Sequence, residues 1–79
     1  MPQPQGVPIL SVVIPALNAA ATLPATIAAT FGAAEVIVVD GGSTDDTPAV
    51  AAQRGARVIA APRGRGSQLA AGVAAASQP

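Results

Sequence analysis

An α/β fold built on a small parallel sheet is predicted by three features of this 79-residue chain. Its strand candidates, at residues 9–14, 35–39 and 57–60, are short and continuously apolar. They do not alternate with polar residues, as expected of strands covered on both faces. Alanine-rich stretches of helical length follow them, and Pro, Gly, Asn or Ser clusters mark the junctions. The order β-α-β-α-β-α implies parallel pairing through right-handed crossovers, with helices layered on both faces of the sheet.

Residues 1–8 are rich in proline, glutamine and glycine and read as a short disordered lead. The first strand covers residues 9–14 and is expected to stop at Pro15. Thr22 is a candidate N-cap for the first helix, Pro24 is tolerated in its first turn, and Gly32 is its expected stop. The second strand runs over residues 35–39. Ser43 or Thr44 is the expected cap of the second helix, with Asp45 and Asp46 in its first turn, where carboxylates favour the helix dipole. That helix is expected to reach about Arg54 and end at Gly55. After the third strand, residues 62–66 form a loop. Ser67 is the candidate cap of a third helix ending near Ser77.

Composition narrows the chemistry. The sequence has no cysteine, no histidine and no lysine. Disulfides, thiolate chemistry, Schiff bases and the commonest general base and metal ligand are therefore absent from it. Four arginines balance four acids, so no net field draws the chain to nucleic acid or to a membrane surface. The apolar run from Val7 to Leu17 is broken by Pro8 and Pro15 and lacks a basic leader, which argues against a signal peptide or membrane span. A cytoplasmic protein is expected, although an intact parent could still carry an anchor. One phenylalanine and no tryptophan or tyrosine leave little large apolar area. A core of this size rarely supplies more than ~3–5 kcal/mol.

Parallel strands point their carboxyl ends to one edge, which is where open α/β sheets bind ligands. Three loops meet there: Pro15 to Asn18, Asp40 to Ser43, and Pro62 to Gly66. They gather an amide (Asn18), a carboxylate (Asp40), a backbone-rich turn (Gly41, Gly42) and two guanidinium groups (Arg63, Arg65). A carboxylate suits the N–H of a base or a ribose hydroxyl, while arginines and free amides suit a diphosphate. Each residue also has a structural reading. Asp40 can cap its own turn, the glycines can be turn geometry, Asn18 a turn residue, and Arg54 and Arg57 solvated charges. The first loop lacks the glycine fingerprint of a dinucleotide site, which counts against an oxidoreductase.

Three segments in order carry a family resemblance: Ser11-Val12-Val13-Ile14-Pro15-Ala16-Leu17-Asn18, then Glu35 to Thr47, then Arg63-Gly64-Arg65-Gly66-Ser67-Gln68-Leu69. Together they resemble the start of a bacterial family 2 glycosyltransferase, of the subgroup whose second strand ends in V-D-G-G-S-T-D. The resemblance implies the nucleotide-binding half of a GT-A (Rossmann-like) fold, with residues 9–79 forming a partial nucleotide-sugar-binding domain that stops before the Asp-x-Asp motif. It implies a nucleotide-sugar donor, with Pro15 and Asn18 in the loop under the nucleotide, Asp40 on the base, Gly41 and Gly42 in the turn beside it, and Arg65 near the nucleotide. It also implies a divalent cation, Mg²⁺ or Mn²⁺, whose ligands and whose companion catalytic base lie outside this sequence. The chain departs from many relatives at Ala19, Gly41 and Ala70, where they carry Glu, Asp and Asn. The first strand is expected at a sheet edge, open to self-association. The expected function is donor binding for sugar transfer to an acceptor hydroxyl, without turnover by this piece alone. The alternative is a non-catalytic remnant or interaction module with no small ligand.

Overall fold

The computed structural model describes residues 10–30 and 32–76. Three strands, β1 (Ser11–Ala16), β2 (Glu35–Asp40) and β3 (Arg57–Ala60), alternate with three helices, α1 (Leu23–Ala28), α2 (Thr47–Gln53) and α3 (Arg65–Ala75). The sheet order is β1-β2-β3 and both pairings are parallel. β2 is central because its Val36-Ile37-Val38-Val39 run is the most apolar of the three, and Ile37, Val38 and Val39 are fully buried.

Adjacent residues of β2 serve opposite faces, as the pleat requires. Val38 joins Leu23 of α1 and Ala51 of α2 in the core on one face, with Ile14, Ile27, Val50 and Val58 packed around them. Val39 and Val13 on the other face meet Gly72 of α3, where an added Cβ would lie 2.2 Å from Val13 Cγ1. The glycine lets this helix lie directly on the sheet. Each fully buried Val, Leu or Ile contributes about 1.5–3 kcal/mol relative to exposure.

Several boundaries differ from expectation. β1 does not stop at Pro15 but includes it and Ala16. Gly41 N–H donates to Ala16 O at 2.9 Å, so residue 16 faces β2 and Pro15, one residue earlier, faces the other side. The missing N–H of Pro15 thus removes no bond to β2, the usual condition for proline in a strand. β2 extends one residue further than expected, through Asp40. α1 ends at Ala28, before Gly32, which has a φ of +93°. Thr22 holds the N-cap position without a side-chain cap bond.

α2 starts at Thr47, not after Ser43 or Thr44. Asp45 and Asp46 lie ahead of the helix instead of in its first turn, because Ser43, Thr44 and Asp45 bond to the loop after β1. Ser67 is also inside α3 rather than its cap, since the helix opens at Arg65 behind Gly64, whose φ is +136°. The lead at residues 1–8, Ile9 and the expected helix end near Ser77 lie outside the described residues. No helix among the described residues is long and apolar enough to cross a membrane.

Candidate functional site

The carboxyl ends of the strands share one edge, and their three loops are tied together by side chains. Asn18, with a φ of +50°, is the hinge of the first loop. Its carboxamide oxygen accepts the Thr44 backbone N–H at 2.8 Å and, more weakly, the Thr44 hydroxyl and the Asp45 N–H at 3.3 Å. Asparagine tolerates left-handed backbone and supplies this local acceptor.

Two hydroxyl relays reinforce the clamp. The Asn18 N–H donates to Ser43 Oγ at 2.8 Å, and Ser43 Oγ–H donates to Asp40 Oδ1 at 2.5 Å. The Ala19 N–H donates to Thr47 Oγ1 at 2.8 Å, and the Thr47 hydroxyl donates to Asp45 Oδ1. Asp45 also accepts the Thr47 N–H at 2.9 Å and the Ala20 N–H at 3.2 Å. These bonds, led by the Thr47 hydroxyl, hold the Asp45 carboxyl below the ordinary carboxylate range, against a smaller opposing effect of desolvation. Ser43, Thr44, Asp45 and Thr47 thus form an inter-loop clasp, while Asp46 holds the N-cap position of α2 without a side-chain cap bond.

Asp40 ends β2 with 8% exposure. Its Oδ2 accepts the N–H groups of Gly42 at 3.1 Å and Ser43 at 3.0 Å, so it does cap its own turn. An ionised carboxylate has about four acceptor positions. The Gly42, Ser43 N–H and Ser43 Oγ–H bonds use three of them. Gly42 adopts a φ of +95°, whereas Gly41 is buried with an ordinary backbone.

Beside this turn an open cleft of about 200 Å³ is lined by Pro15, Ala16, Leu17, Arg65 and Gln68. The structure thus brings the predicted Pro15 and Arg65 to one cleft. Asn18, Asp40, Gly41 and Gly42 belong to the adjoining clasp and turn. Arg57, expected as a solvated charge, is exposed but lies 3.7 Å from Glu35 and donates to Ala75 O at 2.8 Å, tying β3 to the end of α3. Among the described residues no group of three or more acidic, His or Cys side chains could hold a metal ion. The carboxylates present do not fit a divalent cation.

Gln68 was not singled out from the sequence. It is 5% exposed, and its amide donates to Ala16 O at 3.0 Å and Val39 O at 2.9 Å. Its signals in the sequence are its place in the third resemblance segment, Arg63 to Leu69, and its being the sole amide in an alanine-rich helix, four residues before Gly72, which puts both on one helix face.

Comparison with known proteins bears on this geometry. The family model described as glycosyl transferase family 2 matches residues 11–79. An uncharacterized glycosyltransferase of Mycobacterium bovis is 49% identical over 71 residues, covering 89% of this chain and 33% of the relative. A PGL/p-HBAD biosynthesis glycosyltransferase of the same species is 50% identical over 44 residues, covering 51% of this chain and 17% of that protein. Among solved structures, Mycobacterium tuberculosis glucosyl-3-phosphoglycerate synthase, in complex with Mn²⁺, uridine diphosphate and glucosyl-3-phosphoglycerate, superposes with a TM-score of 0.74 at 38% identity, covering 86% of this chain and 29% of that one. The same synthase is also known with Mg²⁺ and uridine diphosphate. The present chain spans about a third of the length of the first relative and of the synthase, and about a sixth of the second relative. The three-layer α/β arrangement with its small parallel sheet is that of GT-A fold glycosyltransferases.

Proposed function

The chain belongs to glycosyl transferase family 2, and from that premise we propose that residues 9–79 are the donor-binding part of a cytoplasmic sugar transferase. The donor is a nucleotide-diphosphate sugar, and in a complete enzyme an acceptor hydroxyl displaces the nucleotide diphosphate. The Val39-Asp40-Gly41-Gly42-Ser43-Thr44-Asp45 segment supports membership of the subgroup named by that motif. The observation that carries the reading is the cleft lined by Pro15, Leu17 and Arg65 at the edge where β2 presents Asp40.

In this reading the apolar faces of Pro15 and Leu17 meet the base. The fourth acceptor position of Asp40 takes a base or ribose proton, and its charge strengthens that bond. Arg65 opens α3, where its guanidinium and the helix N-terminus oppose the diphosphate charge. Asn18 acts through its clasp, holding the first loop on the second. Gly41 and Gly42 keep the turn narrow. The uridine diphosphate and the divalent cations bound by the solved synthase support a nucleotide-sugar donor and a Mg²⁺ or Mn²⁺ requirement for the whole family enzyme.

The sequence contains no Asp-x-Asp, and catalysis requires an ion on the leaving diphosphate and a base for the acceptor proton. The 79-residue chain therefore binds donor without turning over. Titration with uridine and guanosine diphosphates, with and without Mg²⁺, tests the first half of this statement through the amide resonances of Leu17, Asp40 and Arg65. Absence of any shift favours a remnant without a small ligand. Donor hydrolysis by the purified chain, abolished by Asp40→Ala, would overturn the second half. Among the described residues β1 pairs on one side only, which favours association between copies. A monomer at every concentration in sedimentation velocity argues against that.

A further inference from the structure

We propose that Gln68 is the positioning residue of this site, and that residue 41 is glycine in order to admit it. The proposal rests on the donor-binding reading for its ligand arm only. The Gln68 carboxamide touches all three loop bases at once. It donates to Ala16 O at the end of β1 and to Val39 O near the end of β2. Its Oε1 accepts the Gly64 N–H at 3.3 Å, in the loop after β3. Ala16 O also receives the Gly41 N–H, so the amide adds a second bond to a carbonyl that is already paired. That bond is dispensable for satisfying the carbonyl, and its effect is on spacing.

Gly41 supplies the independent observation. An added Cβ there would lie 2.9 Å from Gln68 Cδ and Nε2 and 3.0 Å from Oε1, closer than side-chain atoms pack. Gly41 is not among the glycines with positive φ, so alanine meets no backbone strain at this position. The three hydrogen bonds of the Gln68 amide keep it from swinging aside, and glycine at residue 41 leaves it that space. The next residues are the Gly42–Ser43 turn that holds the Asp40 carboxylate. Arg65 lies one helical turn before Gln68, and both line the cleft. Gln68 therefore sets the distance between the group expected on the base and the group expected on the diphosphate.

The test compares Gln68→Leu with Ala51→Gly in the full chain. Ala51 is buried in α2, so its change loosens the fold without touching the loops. Gln68→Leu is expected to bind uridine diphosphate, in Mg²⁺, about tenfold more weakly, the scale of one lost hydrogen bond. Its Leu17, Gly41 and Gly64 amide resonances are expected to move together without ligand. Ala51→Gly is expected to leave affinity within about twofold and those resonances in place. Wild-type affinity in Gln68→Leu, changes confined to α3, or an equal loss in Ala51→Gly would each overturn the proposal. If the wild-type chain binds neither uridine nor guanosine diphosphate, the donor reading fails alone, and the ligand-free resonances still decide the role of Gln68. If Gln68→Leu does not fold, Gly41→Ala decides it. That change is expected to displace the loop resonances in the Gln68 chain and to be silent beside Gln68→Ala, whereas additive effects would refute the pairing.

Discussion

The carboxamide oxygen of Asn18 accepts the Thr44 backbone N–H at 2.8 Å, and this bond holds the loop after β1 on the loop after β2. Asn18 makes it from a left-handed backbone, with a φ of +50°. Two costs separate at this position. Alanine loses the acceptor, worth about 1 kcal/mol net, and must also occupy left-handed space, at about 1–2 kcal/mol. Glycine loses only the acceptor. Asn18→Ala is expected to destabilise by roughly 2–3 kcal/mol and Asn18→Gly by roughly 1 kcal/mol in urea unfolding. Equal losses would show that backbone conformation contributes nothing here.

Asp45 makes stability depend on acidity. Its carboxylate accepts N–H groups from Thr47 and, across the clasp, from Ala20, and its pKa is lowered mainly by the Thr47 hydroxyl. A group whose folded pKa lies below its unfolded value binds fewer protons when folded. Its contribution is thus fully present above the unfolded value, near 3.8, and fades as pH falls through the lower folded value. Unfolding free energy is expected to decline below about pH 4 in the wild-type chain and to decline less in Asp45→Asn. Parallel pH profiles for the two proteins would remove Asp45 from the clasp.

The order of elements, the parallel sheet and the third strand were legible in the sequence because continuous apolar runs and Gly or Pro punctuation are local signals. The clasp was not. Ser43, Thr44, Asp45 and Asp46 are good helix-starting residues, and local preference alone assigns them to a cap and a first turn. Ser43, Thr44 and Asp45 instead bond to Asn18 and Ala20, some 25 residues away, as Thr47 does to Ala19, and long-range partners leave no periodic trace. Pro15 misled for a related reason. Whether proline ends a strand depends on which side its nitrogen faces, and only the pairing register settles that. The edge position of Asp40 was legible, but its engagement with its own turn was not separable from a ligand role. Gln68 was invisible as a site residue because its partners are backbone carbonyls of two strands.

Gly72 tests the packing of α3 on the sheet. Two effects oppose each other in Gly72→Ala. Helix propensity favours alanine by about 1 kcal/mol. The new Cβ, however, falls 2.2 Å from Val13 Cγ1 and 3.1 Å from Val39 Cγ2. Both neighbours are β-branched side chains on strands, with little freedom to rotate away. Overpacking of this kind costs about 1–3 kcal/mol or more, so a net loss in thermal stability is expected. Val13→Ala should recover part of it by opening the space. A stabilised Gly72→Ala would mean that α3 lies further from the sheet than described.

Asp40→Asn separates the two roles that the geometry gives this residue. The asparagine oxygen can take over Oδ2 and keep the Gly42 and Ser43 N–H bonds. Its amide replaces Oδ1 and can donate to Ser43 Oγ, which reverses that bond without breaking it. The turn should therefore survive, with a stability change of about 1 kcal/mol or less. The fourth acceptor position does not survive, because an N–H now stands where the carboxylate would receive a base proton. Losing one charge-assisted bond, and meeting a donor instead, is expected to weaken uridine diphosphate binding about 5- to 30-fold. An Asp40→Asn chain that folds and binds as tightly as wild type would assign Asp40 to its turn alone. The base contact would then have to come from the backbone around Leu17.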